Sequence, residues 1–200
     1  SLKALDEAIG KTLPIAKMMR AEGHSLEFFD VGGGVAIDYF EDSKSVQSLA
    51  GYGRLVERHL KGEGFRILCE PGRVLVGPAG VLVTRVEYIK ETNHKKFIIV
   101  DTGMHHLLRP ALYSAFHRIL ALKKSSRLEK VDVVGPICES SDFLARDRMV
   151  PRLDAGEFLC VGEAGAYGFT MASQYNLRAL PTEVVLDGKR IQKSAVKSRL

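Results

Sequence analysis

The sequence predicts an α/β segment followed by an all-β domain. Residues 1–80 read as the remainder of a (β/α)8 TIM-like barrel, and residues 81–200 as a β-sandwich or Greek-key-like domain. Three observations predict this. Up to about residue 80, helix-period and strand-like runs alternate, the βα rhythm of a parallel sheet or barrel. Two strands cannot close a barrel and would leave apolar edges and faces uncovered, so the segment reads as the last part of a barrel begun upstream. Beyond it come short β-rich runs separated by glycine, proline and polar turns.

Leu2, Leu5, Ile9, Leu13, Ala16 and Met19 recur at the spacing of one buried helix face. Pro14 falls inside that run, removing a backbone donor, and predicts a kinked helix or two short ones. Residues 26–31 read as a strand entering Gly32-Gly33-Gly34. Val46, Leu49, Gly53, Val56 and Leu60 mark a second amphipathic helix, and residues 65–69 a strand closed by Pro71. In the β domain, residues 81–90, 97–101, 131–134, 157–161 and 183–186 read as strands.

With 46% hydrophobic residues in 200, the chain has the material for one or two globular domains and is neither fibrous nor disordered. Lys189, Arg190, Lys193, Lys197 and Arg199 account for the whole formal charge of +5. A basic run at a terminus reads as a solvated tail, and no aromatic-basic interleaving suggests nucleic acid. No apolar run is long enough to span a bilayer, and the first residues lack the apolar core of a secretion signal. Cys69, Cys138 and Cys160, odd in number and widely spaced, argue for a reducing compartment, hence the cytoplasm.

Several strings carry chemistry. Glycines after a strand adopt positive φ and aim successive amides at one point, so Gly32, Gly33 and Gly34 suit a phosphate, although three glycines also suit a plain tight turn. Glu70 stands at the carboxyl end of a barrel strand, where such barrels present catalytic groups. Arg73 offers a planar fork for phosphate or carboxylate, or else a salt bridge at the turn. Arg109 and Tyr113, four apart around Pro110, share a face if the segment is one helical turn, so that one anion meets both. Cys138 and Glu139 are adjacent in a turn-forming segment after Pro136, and Tyr167 sits between glycines. The histidines have no ligand partners at metal-binding spacing, so no metal is expected.

In chain order, Asp30-Val31-Gly32-Gly33-Gly34, Leu68-Cys69-Glu70-Pro71-Gly72-Arg73, Arg109-Pro110-Ala111-Leu112-Tyr113, Gly135-Pro136-Ile137-Cys138-Glu139-Ser140 and Glu163-Ala164-Gly165-Ala166-Tyr167 resemble the diaminopimelate decarboxylase family. These are pyridoxal-phosphate enzymes of fold type III with a barrel and a β domain. The resemblance covers nearly the whole chain but only the carboxyl-terminal portion of the family's length.

The resemblance implies the cofactor pyridoxal 5'-phosphate, with its phosphate at Gly32, Gly33 and Gly34, its pyridine nitrogen at Glu70, and further contacts from Arg73 and Tyr167. It implies a small amino-acid substrate held by Arg73, Arg109, Tyr113, Glu139 and Tyr167, with Cys138 as the proton donor after decarboxylation. Glu139 would bind the ammonium at the substrate's second amino-acid end. Ornithine-type relatives usually carry aspartate there, so Glu139 favours the diaminopimelate branch. Ala36 and Ser141 depart from glycines expected in the family. The resemblance also implies a homodimer with shared active sites, the Cys138 segment reaching the partner's cofactor. The lysine that holds the cofactor has no counterpart in these 200 residues, so the chain alone is expected to be inactive. Two alternatives stay open: another decarboxylase of the same fold, of ornithine, arginine or carboxynorspermidine type, and a non-catalytic dimerisation module.

Overall fold

The computed structural model describes residues 2–39, 49–123 and 126–193. The chain divides between Gly77 and Pro78 into two compact units.

In the first unit, α1 (Leu2–Ala21), β1 (Phe28–Asp30), α2 (Leu49–Leu60), β2 (Arg66–Leu68) and α3 (Gly72–Val76) follow one another, with β1 and β2 paired in parallel. Ile9 and Leu13 of α1, Tyr52, Val56 and Leu60 of α2, and Phe29, Val31 and Val35 around β1 make its core. Pro14 does not divide α1, which runs unbroken for 20 residues. Pro14 and Gly10 both lie on the exposed face, where water can reach the Gly10 carbonyl that proline leaves without a donor. Arg20 closes the unit: its guanidinium donates to the Leu26, Glu63 and Gly64 carbonyls and lies 3.6 Å over the Phe65 ring. Val46, read as part of the second helix, lies outside the described residues.

The second unit is mostly sheet: β3 (Leu82–Glu91), β4 (Lys96–Val100), α4 (Arg109–Tyr113), β5 (Ile119–Ala121), β6 (Leu128–Val134), β7 (Phe143–Pro151), β8 (Phe158–Val161), β9 (Val184–Asp187) and β10 (Arg190–Lys193). Six strands join in the order β5-β8-β3-β4-β6-β7, antiparallel except for β4 and β6. The expected two-layer sandwich is replaced by one curled, nearly closed sheet. Strand β3 is the reason. Its first half pairs with β8 and its second half with β4, with a register shift between Val86 and Tyr88, so one long bent strand continues the sheet around a single core. The end strands β5 and β7 lie against each other. Val86, Ile98, Val100, Leu107, Val133, Leu144, Leu159 and Val161 fill the interior.

Three strands escaped the reading of the sequence. Strand β5 has three residues. In β7 the alternation is broken: Leu144 and Ala145 are both buried, and Asp147 takes φ +52° to donate its amide to the Asp132 carboxylate at 2.7 Å. Strand β10 lies in the basic stretch read as a solvated tail, yet residues 190–193 pair with β9. Lys197 and Arg199 lie outside the described residues. No described helix is long and apolar enough to cross a membrane.

Candidate functional site

The parallel pairing of β1 and β2 brings their carboxyl ends side by side, and the first unit's candidate residues gather there. The Glu70 amide donates to the Gly32 carbonyl at 2.8 Å. Gly33 packs so tightly on the Glu70 carbonyl that a Cβ would collide with it, and Gly32 and Gly34 adopt φ +67° and +79°. The expected three-amide nest is reduced, because the Asp30 carboxylate accepts the Gly32 amide at 2.8 Å. Among the described residues no partner takes the amides of Gly33 and Gly34. Tyr52, not singled out from the sequence, donates its hydroxyl to the Gly32 carbonyl at 3.3 Å. Burial pushes this phenol up to about 12, helped by Cys69 and Asp30, so it stays protonated and supports the loop. Glu70 is exposed and Arg73 half-buried in α3.

In the second unit, α4 is the single helical turn expected around Pro110, but its two ends differ. Arg109 is buried and Tyr113 is 63% exposed, so the turn does not give them a common environment. Arg109 Nη1 lies 3.2 Å from Nε2 of the fully buried His117, and its guanidinium carbon 5.9 Å from the Tyr167 ring centroid.

Tyr167 owes its position to a strained turn. Glu163 and Tyr167 both adopt positive φ, Gly165 packs on Gly80, and Gly168 packs on the Ala164 carbonyl where no Cβ fits. The buried Glu163 carboxylate anchors the turn by accepting Arg118 Nε at 2.6 Å. About half of Tyr167 is left exposed.

Cys138 and Glu139 sit, both exposed, in the turn between β6 and β7. Asp142 builds that turn. Its buried carboxylate accepts the Met104 and Ile137 amides at 2.6 Å each, tying the turn to the Thr102–Met104 segment. Gly103 and Gly135 both press on that carboxylate, and a Cβ on either would overlap it. Burial raises the Asp142 carboxyl above the ordinary carboxylate range, against the two amides that lower it. Glu139 accepts a hydrogen bond from the Tyr175 hydroxyl and lines a cavity of about 330 Å³ with Lys90, Phe97, Phe143 and Arg146.

Among known proteins, the chain matches the pyridoxal-dependent decarboxylase, C-terminal sheet domain, over residues 17–165. The chain belongs to this family. Curated relatives of this chain include the diaminopimelate decarboxylases of Helicobacter pylori (42% identical, over 96% of this chain and 47% of the relative) and Zymomonas mobilis (39%, over 94% and 45%). It thus spans a little under half the length of these relatives. The crystal structure of the Helicobacter pylori enzyme complexed with L-lysine superposes with a TM-score of 0.88 at 41% identity, over 96% of this chain and 48% of that one.

Asp142 lies two residues beyond the quoted Gly135–Ser140 string and was given no role, because its partners are 38 and 5 residues away. Tyr52, His117 and Tyr175 gave no local signal at all.

The decarboxylase sheet domain also buries histidines. Burial pushes His105 down to about 4 and lowers His106 and His117. Among the described residues neither ring nitrogen of His105 finds a hydrogen-bond partner, and its ring centroid lies 3.7 Å from that of His106. A folded state that disfavours the protonated imidazole is stabilised above the unfolded value near 6.5 and loses that advantage as pH falls toward the folded values. Thermal unfolding should therefore shift to lower temperature between pH 7 and pH 4.5. His105→Leu, which leaves no buried donor or acceptor unmet, should make the profile shallower. An unchanged slope in that variant would contradict the assignment.

Proposed function

We propose that the chain is the carboxyl-terminal portion of a decarboxylase that converts meso-2,6-diaminopimelate to L-lysine and carbon dioxide with pyridoxal 5'-phosphate. The observation that carries this reading is the pair Cys138-Glu139, a thiol beside a carboxylate in a turn that Asp142 ties through the Ile137 amide, with the Glu139 carboxylate held by the Tyr175 hydroxyl. The names of its relatives support the same choice. Residues 1–80 are read as the end of the cofactor-binding barrel and 81–200 as the β domain. The working protein is read as a cytoplasmic homodimer in which the Cys138 turn serves the partner's site.

The residues of the first unit fit the cofactor. The Gly33 and Gly34 amides offer two donors to a phosphate, with a Cβ excluded at Gly33. When bound, pyridoxal phosphate supplies an acceptor for the electron pair left as carbon dioxide departs. Glu70 would hold a proton on the pyridine nitrogen of the bound cofactor. Arg73 and Tyr167 bind phosphate or carboxylate, and Arg109 and Tyr113 hold the carboxylate that is kept. Glu139 holds the ammonium beside that carboxylate. Cys138 returns a proton to the carbon that lost the carboxylate.

Glu139 decides substrate choice in this reading. In the full-length enzyme, Glu139→Gln should weaken a charge-assisted contact of roughly 1.5 to 3 kcal/mol, about ten- to a hundredfold in kcat/KM for the diamino diacid. Tyr175→Phe should act in the same direction and less, since it removes only the group that orients Glu139. Steady-state kinetics with diaminopimelate, lysine, ornithine and arginine reads this out. An unchanged preference in Glu139→Gln would reject this role and reopen the ornithine-type alternative.

A further inference from the structure

Two neighbours of the buried His117 imidazole bear on its tautomer. Nδ1 lies 2.8 Å from the Gly162 carbonyl, which can only accept, so Nδ1 carries the hydrogen. Nε2 lies 3.2 Å from Arg109 Nη1, which can only donate, so Nε2 is the bare acceptor. Two independent contacts thus select one neutral tautomer. Its charged surroundings agree: Arg109 from α4 and Arg148 from β7 disfavour a second proton, and Glu163, which favours one, is itself engaged by Arg118. Gly162 immediately follows β8 and precedes the turn that carries Glu163 and Tyr167. One imidazole therefore ties the arginine of α4 to the turn of Tyr167.

We propose that His117 is the positioning residue for Arg109: as a neutral Nδ1–H tautomer it accepts one guanidinium hydrogen bond and so aims the fork at a substrate carboxylate. The inference rests on the reading of Arg109 as a carboxylate-binding group. Without this acceptor the Nη1 hydrogen of the buried guanidinium would be left unmet at that atom, and the fork would shift to regain a partner.

The ligand pair that tests this is L-lysine, which keeps an amino-acid end, and cadaverine, which lacks the carboxylate. In the full-length enzyme, His117→Leu should weaken L-lysine about tenfold or more by calorimetry, change cadaverine less than twofold, and raise KM for diaminopimelate with kcat nearly unchanged. His117→Gln, whose amide oxygen can accept from Arg109, should recover part of the loss. A general structural defect would move both ligands together and would overturn the proposal. In a double-mutant cycle with Arg109→Met, the two losses should be far from additive. If Arg109→Met leaves the discrimination between the two ligands intact, the carboxylate-binding reading of Arg109 fails. If Arg109→Met abolishes the discrimination and His117→Leu leaves it intact, the positioning role alone fails. Should the leucine variant not fold, ¹⁵N imidazole spectra of the unaltered enzyme, assigned against His117→Gln, decide: a hydrogen on Nε2 overturns the proposal, and one on Nδ1 with Nε2 bare supports it.

Discussion

Cys138→Ala in the full-length enzyme is expected to lower kcat about 10²- to 10⁴-fold, the usual contribution of a positioned general acid, while KM stays within about threefold. The chemistry sets the sign. When the carbon–carbon bond to the leaving carboxylate breaks, carbon dioxide departs and the electron pair remains with the substrate. On the proposed reading, the Cys138 thiol would then give its proton to that carbon, and the thiolate would regain one from water. Cys138 is exposed on the β6–β7 turn, where a ligand can reach its Sγ, unlike Cys160, which is buried and whose thiol burial pushes up. Cys138→Ser should restore little, because a hydroxyl is a much weaker acid than a thiol. Single-turnover measurements would separate the protonation step from carbon dioxide release. If kcat in Cys138→Ala remained within tenfold of the unaltered enzyme, Cys138 would not be the donor, and Tyr167 would be the next residue to test.

The second large effect is on stability. Asp142→Ala is expected to cost about 2–5 kcal/mol, since it strips the acceptor from two buried amides, Met104 and Ile137, each worth roughly 1–3 kcal/mol when left unmet. Urea unfolding of the chain, followed at its midpoint with the slope checked for constancy, reads it out. Asp142→Asn should lose less, because one oxygen still accepts, although its NH2 group faces the second amide. Gly103→Ala and Gly135→Ala should also destabilise, by about 1–3 kcal/mol, because the added methyl meets a carboxylate that its two amides hold in place. Combining Gly103→Ala with Asp142→Ala should cost less than the two losses added, since the clash disappears with the carboxylate. A loss below about 1 kcal/mol in Asp142→Ala would mean that water satisfies those amides, and the turn would need another explanation.

The candidate site residues could be picked out in the sequence because they stand in short contiguous strings. The glycine run and Glu70 were each read at the carboxyl end of a strand, and the parallel pairing of β1 and β2 brings them together. The turn at Cys138-Glu139 followed from Pro136 and the polar residues around it. What misled was local rules applied where tertiary context prevailed. Pro14 has the signature of a helix break, but its position is exposed, where water can reach the carbonyl left without a donor, and with Ile9 and Leu13 buried the helix continues through it. Arg109 and Tyr113 have the spacing of one helix face, but a single turn at the edge of a core leaves one end buried and the other in solvent.

By itself, the sequence determined the succession of helix and strand in the first unit, the β-rich character of the second, the glycines where the backbone turns or approaches closely, and the residue types available for chemistry. These are properties of a few adjacent residues, whose φ preferences, side-chain period and functional groups act over one or two turns of chain. The tertiary structure decided which groups meet. That β3 bends to serve two neighbours and curls one sheet around one core, that Asp30 takes the Gly32 amide, that Asp142 reaches Met104, that Tyr175 meets Glu139 and that His117 lies between Arg109 and Gly162 are outcomes of packing. Most of these contacts join residues 36 to 45 positions apart. At that separation no periodicity marks the partner, and a buried polar group finds whichever donor or acceptor the folded core places beside it.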